Sequence, residues 1–386
     1  MKRFVGLLFA TALVLGLSYG MHGPVVPVFA KDSIGATYAE LGLIGTANFL
    51  PYMIIPIFVG ILLDRINSRY LLTIGVLLNA LSLYLISIAN SVEEVVAYRL
   101  IAGVAHAFFW PTSESILSGD ESTRVKYISW FIMFFVVGFM VGPLLGALVL
   151  DMAGSDYRML FQITVFVMVV AMASSIVASP KGVKLTHGGL NLKSFGAIAR
   201  FPVVVILLLF STAIFGVVLA IYPAFLSDRG INDNSVLLLF FIFGITRVGA
   251  LLVSGFLSKR AIQTFTASTI MVSVGMGISA VGTSFGEFVI ALLMLGFGCS
   301  ILYPLALEVI LSGTKKSASG RMIGAYEAIF GVGWAIGPAI SGYTTDAFGE
   351  AAPYWLFCIL GIAVTIMVVI FRRRLERVSS ERAQSQ

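Results

Sequence analysis

Five charged side chains lie inside long apolar runs of this 386-residue chain: Arg99, Glu114, Arg247, Glu308 and Glu327. In hydrocarbon each costs about 2.5–3.5 kcal/mol at mid-depth, so such residues face a cavity, a partner or both. A glutamate there can take up and release a proton, and a neighbouring arginine can hold or free that carboxylate. His22 adds the side chain whose charge changes nearest neutral pH, set beside a helix-breaking Gly23-Pro24 pair. Tyr19, His106, Trp110, Tyr222 and Tyr303 share these runs. Such aromatics suit a cavity for apolar or amphipathic organic ligands, although they also fill the packed interior of any bundle. The chemistry on offer is proton exchange and ligand binding. No phosphate-binding glycine loop, zinc spacing or nucleophile elbow accompanies it, which argues against an ATP-driven pump or an enzyme. No metal or cofactor is expected, and Cys299 and Cys358 have no metal or redox spacing.

The elements that position these residues are membrane helices. Hydrophobic residues make up 59% of the chain and charged residues 11%, against roughly 25% charged in soluble domains. Runs of about 20 apolar residues, enough to cross a bilayer, recur at 4–30, 38–63, 70–90, 94–118, 125–150, 158–178, 202–226, 235–258, 263–284, 287–312, 320–346 and 352–371. The expected fold is all-α, with twelve transmembrane helices. The first run continues to Ala30 without a small-residue cleavage site, so it reads as an uncleaved span.

The chain also repeats itself. Pro111-Thr-Ser-Glu114 returns as Pro304-Leu-Ala-Leu-Glu308, Gly138-xxx-Gly142-Pro143 as Gly333-xxx-Gly337-Pro338, and Gly60-xxxx-Arg65 as Gly255-xxxx-Arg260. The near-constant offset divides the chain into two tandem six-helix halves, 1–178 and 202–371. A linker at 179–201 joins them and a basic tail at 372–386 follows. Such duplication is the trace of a structural repeat around a substrate path.

Charge predicts orientation. With the N-terminus inside, the inner connections hold twenty basic residues and the outer ones only Lys31, Arg158 and Arg229, a strong positive-inside bias. Both termini are expected in the cytoplasm, in a cell (plasma or inner) membrane. The net charge of +6 then reflects topology, and no nucleic-acid partner is implied. The partners expected are a small-molecule substrate, protons and the lipid bilayer, with a monomer as the working unit.

Gly60-Ile-Leu-Leu-Asp64-Arg65-Ile-Asn67-Ser68-Arg69 resembles the loop motif of the major facilitator superfamily, G-x-x-x-D-[RK]-x-G-[RK]-[RK]. Together with the twelve runs, the resemblance covers essentially the whole chain. It implies that Asp64 sits at the N-terminus of span eleven, where the helix dipole favours negative charge. Arg65 and Arg69 would then pair with acids at the end of span four. Asn67 replaces the family's glycine, and asparagine tolerates the left-handed backbone that such a turn needs. Gly138-xxx-Gly142-Pro143-xx-Gly146 is similar to the span-five motif of the superfamily's multidrug/proton antiporters. Its echo in span eleven can also be symmetric helix packing, although the antiporter reading is favoured. Arg99 matches the span-four arginine that the resemblance ties to proton coupling, while its depth also allows snorkelling.

Glu114 and Glu308 occupy equivalent places. They either carry the driving proton or act as gates, Glu114 bonding Arg65 or Arg69 and Glu308 bonding Lys259 or Arg260. Their shallow depth favours the gate. Arg247 is the nearest candidate partner for Glu327, as part of a proton-responsive site or as a static buried pair. The function expected is secondary active transport, proton-coupled efflux of small amphipathic compounds by alternating access. The alternatives are a proton-coupled importer of a small metabolite and a non-transporting membrane sensor on the same fold.

Overall fold

The computed structural model describes residues 2–63, 65–117, 124–178, 198, 201–312 and 319–372. Among them every regular element is helical. Asp64, nearly all of the linker and all of the tail beyond Arg372 lie outside the described residues.

The helices follow the twelve expected spans. Span one is Lys2–His22 with Val25–Asp32, and spans two to six are Tyr38–Leu63, Ser68–Ser87, Val92–Leu117, Arg124–Met152 and Tyr157–Ala178. Span seven is Pro202–Ala220 with Tyr222–Asp228. Spans eight to twelve are Asp233–Leu257, Ala261–Val281, Phe285–Ser312, Ser319–Phe348 and Ala352–Ile370. Eight described segments are long and apolar enough to cross a membrane on their own, and one of them, Asp233–Val281, holds spans eight and nine. Spans two, four and eleven fall outside that set; span four carries Glu93, Glu94, Arg99 and Glu114 in one helix. Large apolar side chains such as Phe58, Phe166, Phe256 and Ile370 point outward, as a lipid-facing surface requires.

Spans one and seven break at corresponding places. Gly23 N–H still bonds Tyr19 O at 2.8 Å, but Pro24 has no N–H to continue the ladder. In span seven the break precedes Pro223. The Asn67 turn differs from the expectation. Its backbone is extended (φ −62°, ψ 128°), and its side chain accepts from Arg69 N–H at 3.0 Å. Asn67 is therefore the N-cap of span three, a role that satisfies an orphan helix donor and needs no left-handed residue.

Packing repeats as the sequence does. Span one packs on five and six, two on four, and three on four and six. Seven packs on eleven and, less extensively, on ten and twelve, eight on ten, and nine on ten and twelve. The halves meet where span two packs on eleven and span five on eight, pairs that exchange under a shift of six. Glycines permit the closest approaches inside each half. A Cβ on Gly142 would stand 2.3 Å from Leu17 O, and one on Gly337 2.0 Å from Ala213 O. Gly142 thus sits in the seam between spans one and five, and Gly337 in the matching seam between seven and eleven.

At the face away from the termini, polar contacts join the halves. Asp346 of span eleven accepts from Tyr38 N–H at 3.1 Å and Ala39 N–H at 2.8 Å, at the N-terminus of span two. Asp228 accepts from Tyr38 Oη at 2.7 Å and pairs with Lys31. Tyr157 Oη donates to Asp233 at 2.9 Å. One turn or more deeper, Thr46 Oγ1 donates to Ala335 O at 2.7 Å.

Candidate functional site: a cavity between the halves

A cavity of about 210 Å³ lies between the halves. Spans one, two, four and five wall one side, and spans seven, eight, ten and eleven the other. Eight of the residues singled out in the sequence line it: Tyr19, Arg99, His106, Trp110, Glu114, Arg247, Tyr303 and Glu327.

Glu327 is held by hydroxyls. Tyr303 Oη donates to its Oε1 at 2.5 Å, and Tyr52 of the other half is a second hydrogen-bond partner. Tyr303 is itself positioned by Tyr326, whose Oη donates to Tyr303 O at 2.6 Å. The expected Arg247–Glu327 pair is not formed. Arg247 instead lies over three rings, 4.8 Å from the Phe215 centroid, 5.1 Å from Phe139 and 5.6 Å from Phe243. Cation–π contact stabilises a desolvated guanidinium without using its N–H donors. Among the described residues its Nε has no hydrogen-bond partner.

The N-terminal wall carries a polar cluster. Tyr19 Oη bonds both Asn79 Oδ1 and His106 Nε2. Arg99 is 9% exposed, and its Nη1 reaches Asn48 Oδ1 at a long 3.4 Å. Snorkelling is thereby excluded for Arg99, since its head is buried toward the cavity. His22 does not line the cavity. It is buried behind Tyr19, with ring centroids 5.2 Å apart, and its Nδ1 lies 2.7 Å from Ser18 O.

Other expected residues lie elsewhere. Tyr222 is outside the cavity: its hydroxyl lies 2.7 Å from Ser279 Oγ and its ring stands edge-on to Tyr354 at 5.4 Å. The break in span seven turns it into the C-terminal core rather than the space between the halves. Gly138, Gly142, Pro143 and Gly146 belong to the seam with span one, not to the cavity wall. Gly60 lies in the last turn but one of span two. Arg65, Lys259 and Arg260 are exposed, and Arg69 is half-buried, at the face that carries the termini. Glu308 is half-buried and away from the cavity. The two ion pairs seen among the described residues, Lys31–Asp228 and Arg229–Glu350, lie at the opposite face.

Sequence reasoning missed Asn48, Asn79, Tyr52, Ser300 and Trp334. The asparagines could have been found by the criterion that found the charges, since an amide in an apolar span also needs a partner. Tyr52 and Trp334 gave no such signal, because an aromatic side chain facing a cavity looks the same in sequence as one facing a helix.

Residues 8–282 and 261–386 match the sequence profile of the Major Facilitator Superfamily. Over 111 residues the chain is 29% identical to the quinolone resistance protein NorA of Staphylococcus aureus. That match covers 29% of this chain and 28% of NorA, so the chain spans little more than a quarter of that relative's length. An uncharacterized MFS-type transporter of Methanocaldococcus jannaschii is 23% identical over 397 residues, 98% of this chain and 99% of the relative. Among solved structures, the nucleoside transporter NupG is similar with a TM-score of 0.78 at 13% identity, over 95% of this chain and 98% of that one.

Proposed function

Because the chain belongs to the major facilitator superfamily and is a multi-pass membrane transporter, we propose that it exports small amphipathic organic compounds in exchange for protons. It works by alternating access in the cell membrane, as a monomer with both termini cytoplasmic. The observation that carries the reading is Glu327: a carboxylate in an aromatic cavity between the halves, bonded by tyrosine hydroxyls and, among the described residues, by no cation. A carboxylate held this way can gain or lose a proton without breaking an ion pair, and substrate in the same cavity competes for its contacts. The likeness to a quinolone resistance protein supports export of organic compounds. The positive-inside bias supports the orientation.

The cross-half contacts of Asp346 and Asp228 then belong to the external face, and the described state is closed on that side. On the cytoplasmic side, Asp64, Arg65, Arg69 and Glu114, with Lys259, Arg260 and Glu308 in the second half, form the opposing gate. Arg99 lines the cavity as a second coupling residue.

Proteoliposomes loaded with a fluorescent lipophilic cation test this. An imposed pH gradient drives the dye in the wild type. Glu327→Gln loses gradient-driven movement and keeps dye–dye exchange. Full gradient-driven movement in Glu327→Gln overturns the coupling assignment, and movement independent of the gradient in the wild type overturns proton exchange.

A further inference from the structure

The C-terminal wall of the cavity is a continuous aromatic shelf with opposite charges at its two ends. Arg247 sits over Phe215 at 4.8 Å. Phe215 stacks on Trp334 with centroids 5.8 Å apart and planes 20° apart. Trp334 meets Phe330 at 5.4 Å, Phe330 meets Tyr303 at 5.0 Å, and Tyr303 holds Glu327. All six line the cavity.

The donors at the Arg247 end are unsatisfied. Arg247 makes no hydrogen bond or ion pair to any described residue, and its Nε, the Trp334 Nε1 and the Ser300 Oγ are buried without a partner. Ser300 is 5% exposed and faces the same cavity. Buried donors without acceptors are costly, roughly 1–3 kcal/mol each and more for a charge. Arg247, Trp334 and Ser300 all line the cavity, as does Arg99, whose Nε is likewise buried without a partner, so an acceptor entering the cavity is the group these side chains can turn to meet. A guanidinium, an indole N–H and a hydroxyl on one side of the cavity offer donors to a carboxylate or a comparable oxyanion, which Arg binds with its planar fork. At the other end Glu327 offers the reverse, a carboxylate whose known partners are hydroxyls and which accepts an ammonium N–H equally well. Between them Phe215, Trp334 and Phe330 make an aromatic wall, the first two stacked and the third tilted, against which an aromatic body can lie.

We propose that this shelf is a binding subsite for aromatic zwitterions. The anionic group sits at Arg247, Ser300 and Trp334, the rings lie on Phe215, Trp334 and Phe330, and the protonated amine meets Glu327. The assignment rests on the transport reading of the cavity and narrows it from amphipathic compounds in general to those bearing both charges. It also explains why Arg247 and Glu327 do not neutralise each other: each is kept for the opposite end of the ligand.

A matched set on one framework tests this with purified full-length protein in nanodiscs. The probes are 4′-(aminomethyl)biphenyl-4-carboxylic acid, its methyl ester, and its N-acetyl derivative, with binding read by calorimetry. The zwitterion is expected to bind about tenfold more tightly than either relative. Arg247→Gln removes the preference over the ester and leaves ester binding within about twofold. Glu327→Gln removes the preference over the N-acetyl compound. Arg247→Lys, which keeps the charge and the fold but loses the fork, retains part of the acid preference. Equal wild-type affinity for acid and ester overturns the subsite, as does equal weakening of all three probes in Arg247→Gln. The transport reading fails separately: a zwitterion that binds with these preferences but is not moved by a pH gradient leaves the subsite and removes the exporter.

Discussion

Asp346 of span eleven caps span two in the other half of the molecule, accepting from both Tyr38 N–H and Ala39 N–H. Capping normally operates within one helix, where it contributes about 0.5–2 kcal/mol. Here the cap and the capped helix lie in different halves, so the same free energy acts on the relation between the halves. Asp346→Ala removes both acceptors and the charge that the helix N-terminus favours. The variant is expected to favour opening at the face away from the termini by roughly 2- to 30-fold, the population change that this energy range allows. Spin-label distances across that face, between spans two and eleven, measure it. An unchanged distance distribution would show that the cap follows closure and does not stabilise it.

At the opposite face the proposed gate makes a paired prediction. Glu114 and Glu308 stand at equivalent positions of spans four and ten, so neutralising either should disturb the same closed state. Glu114→Gln and Glu308→Gln are both expected to raise thiol labelling of cysteines placed in the cavity from the side of the termini. Asp64→Asn is expected to do the same. Opposite effects of the two glutamine variants would end the gate assignment and return Glu114, which lines the cavity, to the list of proton carriers.

The glycine motif predicts stability. A methyl group at Gly142 would meet Leu17 O at 2.3 Å, and one at Gly337 would meet Ala213 O at 2.0 Å. Both obstacles are backbone, so the helices must move apart, at a cost of about 1–3 kcal/mol for overpacking. Gly142→Ala and Gly337→Ala should each lower the thermal midpoint of the purified protein. Gly249→Ala, where nothing lies within 4 Å, should leave it unchanged or raise it. If Gly142→Ala has full stability yet loses proton exchange, the motif acts in coupling and not in packing.

The bundle was readable because its signals are long-range and redundant. Twelve apolar runs and one repeated offset specify both the helices and the exchange of packing partners between halves. The glycines of spans five and eleven were already paired in the sequence, and the seams they make are paired in space. Side-chain partnership was not readable. Arg247 is the nearest candidate partner for Glu327 in the sequence, yet three phenylalanine rings lie against the face of the arginine and leave its donors free among the described residues, and two tyrosine hydroxyls bond the glutamate. Tyr222 and Tyr303 are both tyrosines of cavity-lining spans, and only the helix break before Pro223 turns one of them away. His22 was legible as a titratable residue at a break, but Tyr19 stands between it and the cavity, which residue type and spacing do not encode.

The cluster around Tyr19 fixes a proton position that can be observed directly. Asn79 Nδ2 donates to Gly75 O at 3.3 Å, which leaves Asn79 Oδ1 as the acceptor facing Tyr19. Tyr19 has one hydroxyl hydrogen and donates it to that oxygen. His106 Nε2 also contacts Tyr19 Oη, so the nitrogen must supply the hydrogen for this second bond. His106 is therefore expected as the Nε2–H form when neutral. Replacing Asn79 by Leu removes the acceptor and frees the Tyr19 hydrogen to turn toward His106, which then favours the Nδ1–H form. The chain has three histidines, so nitrogen NMR of histidine-labelled protein resolves them, with His106→Gln identifying the signal. A wild-type Nδ1–H ring, or a tautomer that ignores Asn79→Leu, would show that the hydrogen of Tyr19 already points to His106 and that the bond to Asn79 does not set it.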